Sequence, residues 1–214
     1  TMVGYDAWDR AFNATIGYIF GLIGWLMGVG MWGTWGREWF GLKIKDPHAN
    51  SRKELGWQRY FMFNVDHKVI GIQYLATFLV VFMTAGLMAM IIRLELMGSG
   101  QDFISNKTYN TVLGMHGIMM VAVAVAAVVG GLGNYAVPLM IGADDMAFPR
   151  MNALSYWLVP PVAVTLLLSP FLGGLETGWT AYPPLSVLTD SAQTFWNVAI
   201  ITFGLSSILG GLNF

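Results

Sequence analysis

His116 is the residue whose type and surroundings most strongly suggest chemistry. It lies in a run from Thr108 to Ala143 that contains no aspartate, glutamate, lysine or arginine. An ionisable side chain in such an apolar stretch is costly within a membrane and usually functional. Neutral imidazole is a common axial ligand of haem iron. The alternative is a histidine that hydrogen-bonds to a neighbouring helix, and this run alone leaves both interpretations open.

A second group of polar residues lies towards the far end of this run and just beyond it: Asn134, Asp144, Asp145 and Asn152. Eighteen residues separate His116 from Asn134. This is five turns of a regular α-helix, so both side chains should lie on one face, about 27 Å apart. Such a pattern would suit a buried site with a polar access route. The alternative is that these residues cap helices, with Asp145 as the N-cap of the next one.

The composition indicates a membrane protein. Hydrophobic residues make up 56% of the 214 positions and charged residues 11%, whereas about a quarter of a soluble protein is charged. The chain has no cysteine, which excludes disulfides and thiolate-ligated metal sites. Crossing a bilayer takes about 20 helical residues. Five uncharged stretches are long enough: Ala14–Trp35, Val69–Ile92, Thr108–Gly142, Met151–Leu175 and Ser191–Phe214. The sequence therefore predicts an all-α, polytopic bundle of about five spans.

Glycine and proline predict irregularities in these spans. The third is longer than one crossing needs, and its final part should fray into a turn at Gly130, Gly131, Gly133 and Pro138. The paired prolines Pro160 and Pro161 should kink the fourth span. The first span carries a stripe of small residues at helical spacing: Gly17, Gly21, Gly24 and Gly28. We expect this glycine stripe to pack within the same subunit, with docking to another subunit as the alternative.

The positions of lysine and arginine predict the orientation. Eight basic residues follow the first and third spans, on one side: Arg37, Lys43, Lys45, Arg52, Lys53, Arg59, Lys68 and Arg150. Only Arg10, Arg93 and Lys107 lie on the other side. The side rich in basic residues should be cytoplasmic, so His116 lies nearer the outer surface and Asn134 nearer the cytoplasm. No basic stripe suits nucleic acid, and no cleavable signal peptide is expected.

Several motifs resemble subunit I of the haem–copper terminal oxidases. The longest covers sixteen consecutive residues from Val137 to Asn152, VPLMIGADDMAFPRMN. Four others keep the family's order and spacing: YNTVLGMH (109–116), GGLGNY (130–135), GWTAYPPL (178–185) and SSILGGLNF (206–214). The resemblance runs from residue 66 to the end. It implies an extra transmembrane helix and cytoplasmic connection over residues 1–65, and a truncated oxidase domain over residues 66–214.

The resemblance implies a role for seven residues. His116 matches an axial ligand of the low-spin haem, expected to be haem A, and Arg93 matches an arginine that tunes this haem electrostatically. Trp179 and Tyr182 match residues near the haem propionates. Asp145 matches the residue at the opening of the proton-conducting D pathway, and its entrance is lined by the matches to Asn134 and Asn152.

The resemblance also implies what this chain lacks. Only His48, His67 and His116 are present, and neither of the first two can reach the outer half of the membrane. The copper ligands, the second haem's ligand and the glutamate at the end of the D pathway should lie beyond Phe214. We therefore expect an amino-terminal fragment, cut at both ends, of a subunit with twelve or more helices.

The expected activity is that of a cytochrome c oxidase in a bacterial inner membrane, with subunits II and III, cytochrome c and lipid as partners. Quinol-oxidising relatives place an arginine and an aspartate nine and five positions before the match to Arg93. Here these positions are Thr84 and Met88, which favours cytochrome c as the electron donor. The alternatives are a quinol oxidase and a non-catalytic membrane subunit that binds one haem or none.

Overall fold

A computed structural model describes residues 7–37, 40–43, 53–100, 103–174, 176–188 and 193–214. Within these ranges all regular structure is helical. The α-helices are α1 (Ala7–Gly28), α2 (His67–Glu95), α3 (Asn106–Ile118), α4 (Val125–Ile141), α5 (Pro149–Leu168), α6 (Leu185–Leu188) and α7 (Gln193–Gly211). A π-helical segment, Met119–Ala124, joins α3 to α4, and a 3₁₀ segment, Lys53–Phe61, precedes α2.

The described helices confirm the all-α membrane bundle. Five of them are long and apolar enough to cross a bilayer: Ala11–Gly28, His67–Glu95, Asn106–Ile141, Pro149–Leu172 and Gln193–Gly211. The fourth continues through Pro160 and Pro161 as helix. We call the end of the bundle where α2 begins the His67 end, and the opposite end the Glu95 end. The charge rule predicts that the His67 end is cytoplasmic.

The predicted fraying of the third span is wrong, because α4 continues to Ile141. Glycine lets α2 and α4 approach closely: a Cβ at Gly71 would lie 3.0 Å from the carbonyl oxygen of Gly131. This packing compensates for the weak helix propensity of glycine. The helix ends at Gly142, which is left-handed (φ 71°) and donates its N–H to the carbonyl of Pro138.

His116 and Asn134 were expected to share a face only if the helix between them is regular, and this condition is not met. A six-residue π segment interrupts the helix. A π turn holds more residues than an α turn, so the residues of α4 are rotated relative to those of α3. His116 consequently bonds to α2, whereas the Asn134 side chain accepts a hydrogen bond from α5.

The glycine stripe of α1 makes no close approach to the other described residues, so its packing within the subunit stays a prediction. A Cβ at Gly17, Gly21, Gly24 or Gly28 would meet nothing within 4 Å. Larger polar side chains connect α1 to the bundle instead. The Tyr18 hydroxyl lies 3.1 Å from Thr202 Oγ1 of α7, and Trp25 Nε1 donates to the Trp157 carbonyl of α5 at 3.0 Å.

Replacing Gly71 with alanine should destabilise the bundle by about 1–3 kcal/mol, since the new methyl group would overpack the α2–α4 crossing. It would also lie 3.0 Å from Tyr135 Cβ. Thermal unfolding of the complete subunit in detergent measures this. The matched control is Gly86→Ala on the same helix, where the new Cβ would meet nothing within 4 Å. Equal melting temperatures for the two variants would contradict the close crossing.

Candidate functional site

The His116 imidazole is oriented by the backbone of α2. Its Nδ1 lies 2.9 Å from the carbonyl oxygen of Ala85. A carbonyl only accepts hydrogen bonds, so Nδ1 carries the proton in the neutral ring and Nε2 keeps a free lone pair. In metal-binding histidines, the ring nitrogen that does not bind the metal usually donates its N–H in this way. The ring is partly buried, on a face of α3 where Leu113 is 45% exposed.

Trp179 lies against Gly117, the residue after His116, because the loop after α5 folds back on α3. A Cβ at Gly117 would lie 3.0 Å from Cβ of Trp179, so the residue following His116 must be small. The loop approaches α3 a second time at Gly174, where a Cβ would lie 2.5 Å from Thr111 Oγ1. An ion pair between Lys107 Nζ and Glu176 Oε1, 3.1 Å long, also connects the loop to α3.

Arg93 and Tyr182 lie at the same end of the bundle, both with exposed side chains. Arg93 is in the last turn of α2, eight residues after Ala85, which places it about 12 Å further along the helix axis. Tyr182 follows Trp179 by three residues and is 74% exposed. Among the described residues no hydrogen bond connects either side chain to His116. The structure thus brings Trp179 against Gly117, the neighbour of His116, and places Arg93 and Tyr182 at the same end of the bundle.

A buried polar cluster lies near the opposite end. Asn134 and Asn152, which are 2% and 0% exposed, contact each other directly: Asn152 Nδ2 donates to Asn134 Oδ1. His67 Nδ1 donates to the backbone carbonyl of Asn134 at 2.8 Å. Asn152 Oδ1 is a buried acceptor without a partner among the described residues. Buried acceptors of this kind commonly bind ordered water.

Three further residues continue this cluster into the bundle, and the sequence analysis missed them. The Ser155 hydroxyl donates to the carbonyl of Asn152 at 2.7 Å and lies 3.0 Å from the Tyr74 hydroxyl. Ser206 of α7 donates to the carbonyl of Ser155 at 2.7 Å. Helical spacing could have found two of them, because Tyr74 follows His67 by seven residues and Ser155 follows Asn152 by three.

Asp145 lies in the loop between α4 and α5, at the His67 end, and is partly buried. Its Oδ1 accepts the backbone N–H of Met146 at 2.7 Å. The N-cap position of α5 belongs to Phe148, whose own N–H is bonded to Asn213 Oδ1 at 2.9 Å. The capping alternative for Asp145 is therefore wrong.

The described side chains do not form a multidentate metal centre, so a histidine such as His116 could hold a cofactor only as a single ligand. No group of three or more histidine, cysteine or acidic residues lies together within the described ranges. His67 and His116 are at opposite ends of the bundle, as the sequence predicts. His48 falls outside the described residues. His116, with Nδ1 occupied and Nε2 available, has the chemistry of an axial haem ligand.

Comparison with known proteins identifies the family of this polytopic helical bundle. The family described as "Cytochrome C and Quinol oxidase polypeptide I" matches residues 69–214. The chain therefore belongs to this family of haem- and copper-containing respiratory oxidase subunits.

Three relatives show how much of the subunit this chain covers. All are named cytochrome c oxidase subunit 1. The protein from Thermostichus vulcanus is 54% identical over 160 residues, and that from Synechocystis sp. 43% over 159; each alignment covers 74% of this chain and 29% of the relative. The protein from Candida albicans is 42% identical over 161 residues, which cover 72% of this chain and 30% of the relative. The chain thus spans less than a third of the relatives that it matches.

Proposed function

We propose that this chain is the amino-terminal part of the catalytic subunit of a respiratory terminal oxidase. The complete enzyme reduces O₂ to water with electrons from cytochrome c and pumps protons across the membrane. The observation that carries the proposal is the match of residues 69–214 to the oxidase family. The hydrogen bond from His116 Nδ1 to Ala85 supports it, because this bond leaves Nε2 available inside an apolar bundle.

In this proposal His116 would hold a low-spin haem, expected to be haem A, through Nε2. When bound, this haem supplies one-electron transfer. The Ala85 carbonyl fixes the imidazole ring and makes Nε2 more basic. Trp179 and Tyr182 hold the propionates, and the positive charge of Arg93 favours the reduced state. Copper and the second haem belong to the part of the subunit beyond Phe214.

The His67 end serves as the proton entrance. Asp145 is the surface carboxylate that takes up protons, and the buried amides of Asn134 and Asn152 line the path behind it. The hydroxyls of Ser155 and Tyr74, 3.0 Å apart, extend that path into the membrane. Hydroxyl groups can both donate and accept hydrogen bonds, so they can relay protons through intervening water.

The two ends together explain energy conservation. Electrons arrive near the Glu95 end and protons enter at the His67 end, so each turnover separates charge across the membrane. Each charge moved across stores about 2.3 kcal/mol per 100 mV of membrane potential. We place the enzyme in a bacterial inner membrane with subunits II and III. The family itself extends further, since a relative from the yeast Candida albicans also matches.

A quinol-oxidising enzyme is the second candidate, because the family description includes quinol oxidases. The residues Thr84 and Met88, which replace the charged pair of quinol-oxidising relatives, favour cytochrome c. A non-catalytic haem-binding subunit is the third candidate.

The decisive experiment begins with the coding region beyond Phe214, which should encode further intramembrane histidines. Expression of the complete subunit with its partner subunits should then give an enzyme that consumes O₂ with reduced cytochrome c. Oxidation of ubiquinol but not cytochrome c would support the second candidate. A continuation that lacks intramembrane histidines would reject the enzyme.

A further inference from the structure

A groove of about 520 Å³ lies among α1, α2, α5, the 3₁₀ segment and Met119 of the π segment, and none of His116, Asn134 and Asn152 lines it. Its walls are almost wholly apolar. The lining residues run from Ile72 to Thr84 on α2 and from Tyr156 to Leu167 on α5, with Trp25 contributed by α1. A volume of this size is typical of sites for single small ligands.

The length of the groove matches one leaflet of a bilayer. Ile72 and Thr84 are twelve residues apart, or about 18 Å along α2, and half of the hydrocarbon core is about 15 Å. A transmembrane helix would need a groove across the whole membrane. A single extended acyl chain needs only half of that span, so it fits this length.

The mouth of the groove carries the residue types found at lipid headgroups. Trp57, which is 83% exposed, and Tyr60 line it at the His67 end. Arg59 Cζ lies 4.8 Å from the centroid of the Tyr60 ring, and Arg59 Nη2 donates to the Tyr60 hydroxyl at 2.7 Å. Tryptophan, tyrosine and basic residues are enriched at this depth of a membrane.

The charge at the mouth favours an anionic headgroup. Lys68 is exposed and precedes the groove residue Ile72 by one helical turn, on the same face of α2. The nearby carboxylate of Asp66 accepts the N–H groups of Lys68 and Val69 as the helix N-cap. Arg59 is partly exposed beside Tyr60, and its guanidinium adds a second positive charge to which a phosphate would be attracted.

We propose that the groove binds one acyl chain of an anionic phospholipid from the leaflet at the His67 end. The phosphate lies between Arg59 and Lys68, and the chain extends along α2 towards Thr84. The bound lipid fills the space between α1 and the rest of the bundle, so it acts as a fixed structural component and not as exchangeable bulk lipid.

Native mass spectrometry of the complete, delipidated oxidase incubated with phosphatidylglycerol or phosphatidylcholine tests the proposal. Val80, which is 67% exposed, lines the groove, whereas the adjacent Leu79, 59% exposed, does not. The wild type and Leu79→Trp should each retain one phosphatidylglycerol that Val80→Trp loses. Arg59→Gln and Lys68→Gln should each reduce the preference for phosphatidylglycerol about fivefold, and Lys107→Gln, at the other end, should not.

Size-exclusion elution of the variants verifies that each remains assembled. Equal lipid retention by Val80→Trp and wild type would overturn the site, as would a density map of the complete oxidase with a protein helix in the groove. Equal retention of the two phospholipids by the wild type would overturn the anionic headgroup.

Discussion

Replacing His116 with alanine should abolish the low-spin haem absorbance of the complete oxidase. The substitution removes the nitrogen proposed to donate to iron, and the alanine methyl group cannot replace it. Electron transfer from cytochrome c to O₂ should fall below detection, because the low-spin haem is the expected entry point for electrons. Optical spectra of the reduced enzyme and O₂ consumption measure the two effects.

The matched control is His67→Gln. It changes the histidine at the start of α2, far from Ala85, the residue of α2 to which His116 bonds. His67 bonds to the Asn134 carbonyl, and a glutamine can donate a similar hydrogen bond. This variant should keep the full haem spectrum. If His116→Ala kept a normal spectrum, His116 would not be the ligand; if both variants lost the haem, the loss would reflect misfolding.

Replacing Asp145 with asparagine should slow proton uptake and lower turnover about a hundredfold or more, as expected when a group that transfers protons is removed. Asparagine has nearly the same shape and still accepts the N–H of Met146, whose distance from Asp145 Oδ1 is 2.7 Å. The haem spectrum should therefore remain unchanged. Proton uptake and pumping are measured with the oxidase reconstituted in vesicles.

Asp144→Asn is the control for charge, since Asp144 is the adjacent acidic residue and is exposed. It should retain at least half of the wild-type turnover. Normal pumping by Asp145→Asn would reject its role at the entrance. An equal loss in both variants would show that the net charge of the loop, and not one particular carboxylate, controls uptake.

The sequence predicted a key residue of each candidate site but not the partners of that residue. His116 and Asp145 were predicted from residue type and motif. The acceptor for His116 is the backbone carbonyl of Ala85, which every residue possesses and no sequence pattern marks. Tyr74 and Ser155 meet across two helices that are 81 residues apart in sequence, so only the packing of α2 against α5 brings them together.

The sequence by itself determined the membrane class, the five spans and the family, because apolar length and consecutive motifs are local properties of the chain. It could not determine which helices touch or how each is rotated. The α2–α4 crossing at Gly71 and Gly131 kept α4 helical despite its weak propensity. The π segment at Met119–Ala124 interrupts the helix between His116 and Asn134. The His116 ring bonds to α2, and the Asn134 side chain bonds to α5. Both outcomes depend on interhelical packing energy, which local propensity does not contain.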